Sequence, residues 1–396
     1  MAGPLDGLIV LDLTRILAGP HCTMTLGDMG AEVLKVEVPG RGDDTREWGP
    51  PFVNGTSAYF LSVNRNKKSL TLNLKAPKGL QIFKALVKRA DIVVENFRPG
   101  TMEDLGIGYE TLRELNPGLI YCAVSGFGHT GPDRLRPGYD VVVQGESGVM
   151  SLTGFPDGPP LKVGISVADL VAGMLAVQGI LLGLVARATT GRGQMVDVAL
   201  HDGMVSLLTY QAGIYFATGQ SPGRMGNQHP TIAPYETFPT KDGYMILAVG
   251  NDSLWARFCE AVGLEGLAAD PRFAINSLRV QNRPALCALI EERLRARTTR
   301  EWIRLLDQAG VPCGSIKTVG EVLSDPQVVA REMVVEMDHP TAGKIRVTGV
   351  PVKLSATPGV VRLPPPLLGQ HTDEILGRLL NYNPDEVVRL RREGVI

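Results

Sequence analysis

The sequence predicts an α/β protein in which a Rossmann-like large domain with a mostly parallel sheet is followed by a smaller α+β domain. Over the first 200 of the 396 residues, short apolar runs typical of buried strands alternate with helical segments. Such alternation favours a parallel sheet covered by helices on both faces. Beyond residue 234 the pattern changes to a hairpin followed by helices, which indicates a separate domain.

The elements of the large domain follow from the spacing of apolar residues. The predicted strands are 8–13, 31–38, 91–95, 118–125 and 194–200, and the predicted helices are 22–29, 77–90, 101–115, 170–186 and 202–217. The polar segments 43–51 and 64–69 are interpreted as loops. Helix 170–186 is apolar on all sides, but it contains glycines and is short for a membrane span, so we interpret it as a buried core helix.

The small domain is predicted from a change in composition. Segment 219–234 is rich in Gly, Pro and Asn and reads as a connector. We therefore assign 1–200 to the large domain, 201–234 to a linker and 235–325 to the small domain. The small domain should contain a hairpin at 235–250 and helices at 252–262, 283–295 and 299–309, with strands following at 333–347.

Charge and composition exclude several classes of function. With 40 basic and 41 acidic residues, the chain has no net field to attract nucleic acid or an anionic membrane. The five cysteines are scattered without metal-ligand spacing, which is typical of reduced thiols. The N-terminus lacks the features of a signal peptide, so we expect a cytoplasmic protein.

Common catalytic and cofactor motifs are missing. The loop after the first predicted strand, 14–20, lacks the GxGxxG fingerprint, and no GxxxxGK, GxSxG or HExxH motif occurs. The six histidines are dispersed. We expect no metal and no tightly bound cofactor.

Asp169 is the candidate catalytic residue. It follows Gly164–Ala168 at the start of the long apolar helix, where the positive end of the helix dipole should keep a carboxylate ionised and able to act as a nucleophile. The alternative is ordinary helix capping, because Ser166 followed three residues later by Asp169 resembles a capping box.

Polar, glycine-containing loops follow two of the predicted strands. Segments 95–100 and 125–132 should emerge at the carboxyl edge of the sheet, where ligands bind in such folds. Their glycines allow a ligand to approach the backbone, and Arg98, Arg134 and Arg136 are nearby. Together these segments predict a basic rim suited to phosphates.

The same segments resemble the family III CoA-transferases, also called the CaiB/BaiF family, over nearly the whole chain. The matching segments are 11–14 with 18–20, 35–37, 42–43, 64–69, 95–100, Tyr139, 164–169, 190–194 and 364–372. Segments 43–51, 62–69 and 278–280 look most like the succinyl-CoA:glutarate (dicarboxylate) CoA-transferases.

The resemblance implies a mechanism for Asp169. In similar enzymes the matching aspartate attacks an acyl-CoA thioester, forms a mixed anhydride, and becomes an aspartyl-CoA thioester. An acceptor carboxylate, here expected to be a dicarboxylic acid, then takes the CoA. CoA and acyl-CoA are therefore expected as substrates, without ATP or metal.

The resemblance also implies a CoA site. Val38, Asp104 and Pro137 stand where formyl-CoA transferases have basic residues, so other basic residues should neutralise the phosphates. The expected CoA-binding residues are Leu17, Ala18, Leu72, Lys75, Asn96, Phe97, Arg98, Arg134, Arg136 and Tyr139.

Acceptor binding is predicted from chemistry. A dicarboxylate needs a cation for its distal carboxylate, and arginine offers the best geometry. The candidates are Arg46, Arg65 and Arg279, with Tyr139 as the pocket tyrosine that the resemblance implies.

Two related enzymes and a binding module remain as alternatives. A 2-methylacyl-CoA racemase would have a histidine where this chain has Tyr139, and tyrosine is a poor base at neutral pH. A formyl-CoA:oxalate-type CoA-transferase would need the basic residues that are missing. A non-catalytic acyl-CoA binding module would not need Asp169.

The family also implies an assembly. Similar proteins form homodimers whose chains interlock through long connectors. By the same resemblance, 326–396 is a return linker followed by the C-terminal part of the large domain, with helices at 372–380 and 383–393.

Overall fold

The computed structural model describes residues 3–396, which form two compact units. The first unit contains residues 3–149, Lys162–Phe216 and Pro326–Ile396, and the second contains Met150–Leu161 and Ala217–Asp325. Residues 201–216, which the sequence assigned to the linker, form helices of the first unit.

The first unit is built on a six-stranded parallel sheet, so the predicted α/β class is confirmed. The strand order is β5-β2-β1-β6-β7-β8. The helices and strands from β1 to α9 are, in chain order, β1 Ile9–Asp12, α1 Ala18–Asp28, β2 Glu32–Glu37, β3 Phe52–Val53, β4 Thr56–Ser57, α2 Ala58–Val63, β5 Lys67–Thr71, α3 Pro77–Val87, β6 Ile92–Glu95, α4 Thr101–Asp104, α5 Tyr109–Leu115, β7 Ile120–Ser125, α6 Asp140–Glu146, α7 Val167–Thr190, β8 Met195–Ala199, α8 Leu200–Ser206 and α9 Thr209–Thr218.

The second unit contains an antiparallel sheet in the order β11-β10-β9, packed against helices around Phe238, Trp255 and Trp302. Its elements are β9 Tyr235–Pro239, β10 Tyr244–Ala248, α10 Asp252–Val262, α11 Glu265–Ala268, α12 Asn276–Gln281, α13 Arg283–Leu294, α14 Thr299–Gln308, β11 Cys313–Ser315 and α15 Val319–Leu323. The chain then re-enters the first unit as α16 Pro326–Ala330, β12 Val334–His339, β13 Gly343–Thr348, α17 Thr372–Leu380 and α18 Pro384–Arg392.

Alternating side chains of the parallel strands form two cores, one on each face of the sheet. Leu11, Val93 and Tyr121 pack with α3, α5, α17 and α18, whereas Val10 and Cys122 pack with α1, α7 and α8 on the other face. The carboxyl ends of the strands are thereby left open between the two helical layers, which is where ligands bind in such sheets.

Helix α7 is the central helix of the second core. Ala168, Ala172, Ala176 and Ile180 are buried at helical spacing, which places them on one face toward the sheet. On length and composition alone, α7 is also apolar enough to cross a membrane, and within residues 3–396 no other helix meets that test. The packed face is the feature expected of a core helix.

Strand β5 was missed by the sequence analysis, which interpreted 64–69 as a loop. The strand pairs in parallel with β2, from Val33 opposite Lys67 to Glu37 opposite Thr71. Its first residues are polar, but Lys67 and Ser69 are fully buried because their polar atoms have partners inside the protein. A polar strand of this kind gives no apolar signal.

The outer edge of β5 is covered by the C-terminal segment. The Asn66 N–H donates to the Leu363 carbonyl oxygen at 2.9 Å, and the His371 N–H donates to the Ser69 carbonyl oxygen at 3.0 Å. The Gly369 N–H donates to the Ser69 hydroxyl oxygen at 2.8 Å. The edge strand is therefore paired on both sides.

Buried ion pairs join β1, β2 and β5. The Lys67 ammonium donates to Asp12 at 3.0 Å and to Asn64 at 3.0 Å, and Thr23 donates to the same aspartate at 2.7 Å. Burial lowers the pKa of Lys67 to about 8, whereas the nearby lysine charges outweigh burial and lower the pKa of Asp12. Each charge is therefore stabilised by the other.

Replacing Lys67 with Met tests this ion pair. It is expected to lower the free energy of unfolding of the first unit by about 3 kcal/mol, because Asp12 would stay buried without its partner. Urea denaturation measures the change, with Lys88→Met on the exposed end of α3 as control, where a change below about 0.5 kcal/mol is expected. Equal midpoints for the two variants would contradict the interpretation.

Candidate active site

Asp169 lies in the first turn of α7, and the side chain of Asp140 caps that turn. Oδ1 of Asp140 accepts the Ala168 N–H at 2.8 Å, and Oδ2 accepts from the Gln144 amide at 2.7 Å. The side chain of Ser166 makes no cap hydrogen bond, so the capping box considered from the sequence is not formed. In the described chain, no hydrogen bond or ion pair engages the carboxylate of Asp169.

The protonation of Asp169 differs from the sequence expectation. Burial raises its pKa from the ordinary 3.8 to about 7, and the negative charge of Asp140 contributes in the same direction. The helix dipole, which was expected to keep the carboxylate ionised, is therefore outweighed by loss of solvation. Near neutral pH the protonated and ionised forms of Asp169 are therefore both present.

Asp169 lines a pocket of about 190 Å³ at the carboxyl edge of the sheet. The N-terminal end of α1, the loop after β6 and the segment before α6 form its walls. The predicted residues that it brings together with Asp169 are Leu17, Ala18, Asn96, Phe97, Arg98, Arg136 and Tyr139.

Hydrogen bonds of Glu95 and Asn96 hold the loop after β6 in place. Oε2 of Glu95 accepts the Phe97 N–H at 2.8 Å, and burial raises the pKa of Glu95 to about 8. The Asn96 amide bonds the backbone of Arg15 twice, accepting its N–H at 2.8 Å and donating to its carbonyl oxygen at 2.7 Å. Asn96 therefore holds two walls of the pocket together.

A larger pocket of about 550 Å³ adjoins the first one, since Arg15 and Phe97 line both. It contains the predicted Leu72 and Lys75. All of the predicted CoA residues except Arg134 thus lie in one or other of two neighbouring pockets of the first unit.

The structure corrects the predicted acceptor-binding arginines. Arg46 donates from Nε and Nη2 to the two oxygens of Glu37, at 2.8 Å each. Arg65 is buried and makes the same forked contact with Asp28, at 3.0 and 2.7 Å. Arg279 is buried in the second unit, where it donates to Asp252 and to backbone carbonyls. All three guanidinium groups are thus already paired within the protein, and those of Arg65 and Arg279 are also buried.

The two arginines of the 125–136 region have different environments. Arg136 lines the small pocket, pairs with Asp133 and Glu146 at 3.0 and 3.1 Å, and lies over the Phe127 ring. Arg134 is exposed and lines neither pocket. The structure gives no support for Arg134 as a CoA contact.

Three residues near the pockets were not selected from the sequence. Tyr59 has its pKa raised to about 12, mainly by burial and in smaller part by the negative charges of Asp169, Asp43 and Asp140, so it is neutral. Asp140 directly follows the selected Tyr139, but only the fold shows that it caps α7. Arg15 lies in loop 14–20, which follows β1 and lacks the GxGxxG motif.

The fold and site define an α/β enzyme with a free carboxylate beside a nucleotide-sized cavity at the carboxyl edge of its sheet. The chain belongs to CoA-transferase family III, which it matches over residues 5–372. The family and the enzyme class predicted from the sequence are therefore confirmed.

Known relatives agree with this assignment. Succinyl-CoA:glutarate CoA-transferase of Mus musculus is 45% identical over 393 residues, covering 99% of this chain and 90% of the relative. Acetyl-CoA:oxalate CoA-transferase of Acetobacter aceti is 44% identical over 354 residues, covering 89% and 90%. The crystal structure of a CAIB/BAIF family protein from Brucella suis superposes with a TM-score of 0.85 at 45% identity, covering 96% of this chain and 100% of that chain.

Replacing Asp140 with Asn is expected to lower the pKa of Asp169. The amide oxygen of Asn can still accept the Ala168 N–H, whereas the like charge beside Asp169 is removed. An infrared titration measures the change by following the carbonyl band of protonated Asp169, assigned by its loss in Asp169→Asn. The charge control is Asp385→Asn in the first turn of α18. A titration midpoint that is unchanged in Asp140→Asn would show that the Asp140 charge has no influence.

Proposed function

We propose that this enzyme moves CoA from an acyl-CoA donor, succinyl-CoA in the first instance, to a dicarboxylic acid through covalent intermediates on Asp169. The observation that supports this most directly is the unpaired, largely desolvated carboxylate of Asp169 in the lining of the small pocket. The substrates named for the mouse relative support the choice of succinyl-CoA and a dicarboxylate.

The proposed reaction begins at the thioester carbon of the donor. The Asp169 carboxylate attacks it, a tetrahedral oxyanion forms, and the C–S bond breaks to give a mixed anhydride and the CoA thiolate. The thiolate then attacks the aspartyl carbonyl, which releases succinate and leaves an aspartyl-CoA thioester. The acceptor carboxylate repeats the two steps in reverse and leaves as its CoA thioester.

The electrostatics of the site fit this sequence of steps. A carboxylate with a pKa of about 7 is ionised in roughly half of the molecules at neutral pH, and its poor solvation favours attack. Tyr59 remains protonated at this pH because burial raises its pKa to about 12. Exclusion of water is required because the anhydride would otherwise hydrolyse.

We also propose that the enzyme works as an interlocked homodimer, as the family resemblance implies, and that it acts in the cytoplasm without membrane attachment. Within the first unit, α7 exposes Met174, Leu182 and Val185, and α9 exposes Phe216, which is 81% exposed. Large apolar side chains exposed in this way fit burial against a second copy of the chain.

Light scattering after size exclusion tests the dimer. An interlocked dimer cannot separate without unfolding, so a mass of twice 42.6 kDa is expected to persist on dilution. Phe216→Ser in α9 should lower the unfolding midpoint more strongly than Val388→Ser, which removes an exposed apolar side chain of α18. A monomer at micromolar concentration would contradict the proposal.

Transfer itself is tested by mass spectrometry of acyl-CoA products after mixing the enzyme with succinyl-CoA and separate carboxylic acids, including glutarate and oxalate. A new acyl-CoA is expected with at least one dicarboxylate. Asp169→Asn should lower turnover by roughly 10³-fold or more with CoA binding largely kept, because covalent catalysis depends on the nucleophile.

The control for that experiment is Asp385→Asn, which removes an exposed aspartate from the first turn of α18 and should leave turnover unchanged. Full turnover by Asp169→Asn would overturn the covalent mechanism. Solvent deuterium entering 2-methylacyl-CoA at an enzymatic rate, with no transfer to any acid, would instead favour the racemase alternative.

A further inference from the structure

A chain of three charged side chains lies at the rim of the larger pocket. The Asp44 carboxylate accepts from Arg41 at 2.7 Å through one oxygen and lies 3.5 Å from Arg15 through the other. Both arginines are largely exposed, and all three residues line the pocket. We refer to Arg15, Asp44 and Arg41 as the clasp.

The clasp contains most of the cationic charge that a ligand of this pocket could reach. Lys35 also lines the pocket, but it is buried and donates to Asp43 at 2.9 Å and to the Thr14 carbonyl oxygen at 2.8 Å. Lys75 on the opposite side is exposed. Leu72, Leu74 and Leu105 provide apolar surface between these cations. A ligand with a flat apolar part and several negative charges fits this lining.

The Arg15 guanidinium is held in place before a ligand arrives. Both backbone polar groups of Arg15 bond the Asn96 amide, and its guanidinium lies 5.2 Å from the centre of the Phe97 ring. Exposed ion pairs such as those of Asp44 contribute little stability, whereas arginine binds phosphate in a forked, charge-assisted geometry. A phosphate group can therefore replace the Asp44 carboxylate.

We propose that Arg15 and Arg41 bind the phosphate groups of the CoA nucleotide, and that Asp44 occupies their guanidinium groups until the nucleotide displaces it. The inference rests on the proposed function, because it assumes that the thiol end of CoA reaches Asp169. Arg15 lines both pockets, so it meets the diphosphate that joins the two halves of CoA. Arg41 lines only the larger pocket and meets the 3′-phosphate.

Removing the charge of Asp44 and removing either arginine should change the affinity for CoA in opposite directions. Because its carboxylate competes with phosphate, Asp44→Asn should bind CoA more tightly, by about 2- to 5-fold, the range that an exposed ion pair accounts for. Arg15→Ala and Arg41→Ala should bind CoA about 10-fold more weakly, the size expected for one charge-assisted contact.

Isothermal titration of the full-length enzyme with CoA and with 3′-dephospho-CoA tests the assignment. Arg41→Ala should weaken the binding of CoA but leave the dissociation constant of 3′-dephospho-CoA unchanged. Arg15→Ala should weaken the binding of both. Arg331→Ala, which removes an exposed arginine outside both pockets, is the matched control and should change neither.

The outcomes separate this inference from the function on which it rests. Failure of the unaltered enzyme to bind CoA would overturn the proposed function. Normal binding of CoA by a folded Arg15→Ala or Arg41→Ala variant would overturn the inference alone. The inference would also be overturned if Arg41→Ala lost as much affinity for 3′-dephospho-CoA as for CoA, or if Asp44→Asn bound CoA more weakly. Arg15→Lys serves if Arg15→Ala does not fold, and a loss of affinity is expected because lysine lacks the forked geometry.

Discussion

The buried ion pairs at the carboxyl end of β1 are the interaction on which the first unit depends. Asp12 pairs with Lys67 of β5, and Lys35 of β2 pairs with Asp43 in the loop that follows. All four side chains are fully buried, so each charge would be costly without its partner. Their contacts join three neighbouring strands of the sheet to the loop that forms the rim of the larger pocket.

This network also determines where the ligand-binding loops lie. Lys35 donates to the Thr14 carbonyl oxygen, and the Ile16 N–H lies 3.4 Å from an oxygen of Asp43, which brings the loop after β1 against the loop after β2. Arg15 and Asp44 lie on these two loops. The positions of the clasp and of Asn96 are thus consequences of charges buried below them, and the pocket needs little rearrangement to receive a ligand.

Sequence reasoning predicted the apolar part of this structure well and the polar part poorly. Strands such as β6 and β7 and the helix α7 were found because each is a run of mostly apolar residues of suitable length. Strand β5 was not found, because polar residues such as Lys67 and Ser69 usually lie in solvent. Their buried partners, Asp12 and Glu37, are 55 and 32 residues away in the sequence. Arg46 and Arg65 were assigned to substrate for the same reason, since a sequence does not show which carboxylate an arginine meets.

The candidate site, too, was predicted only in part from the sequence. Asp169 was selected correctly as a pocket residue from its place at a helix start, but its pKa depends on burial and on Asp140, which only the tertiary structure reveals. Arg15 and Arg41 are separated from Asp44 by 29 and 3 residues, and no motif marks the three as a group. The sequence therefore offered the candidate nucleophile, whereas the contacts around it came from the packing of the chain.

The covered edge of β5 has a consequence for how the chain is made. The backbone groups that protect this strand belong to Leu363 and His371, near the end of the chain, although the strand itself ends at Thr71. During synthesis this edge of the sheet is therefore left unprotected until residues 363–371 have been made, whereas most of the second unit, Ala217–Asp325, is complete earlier. A chain cut before Leu363 would expose β5 to pairing with other molecules, which makes an unfinished chain prone to aggregation.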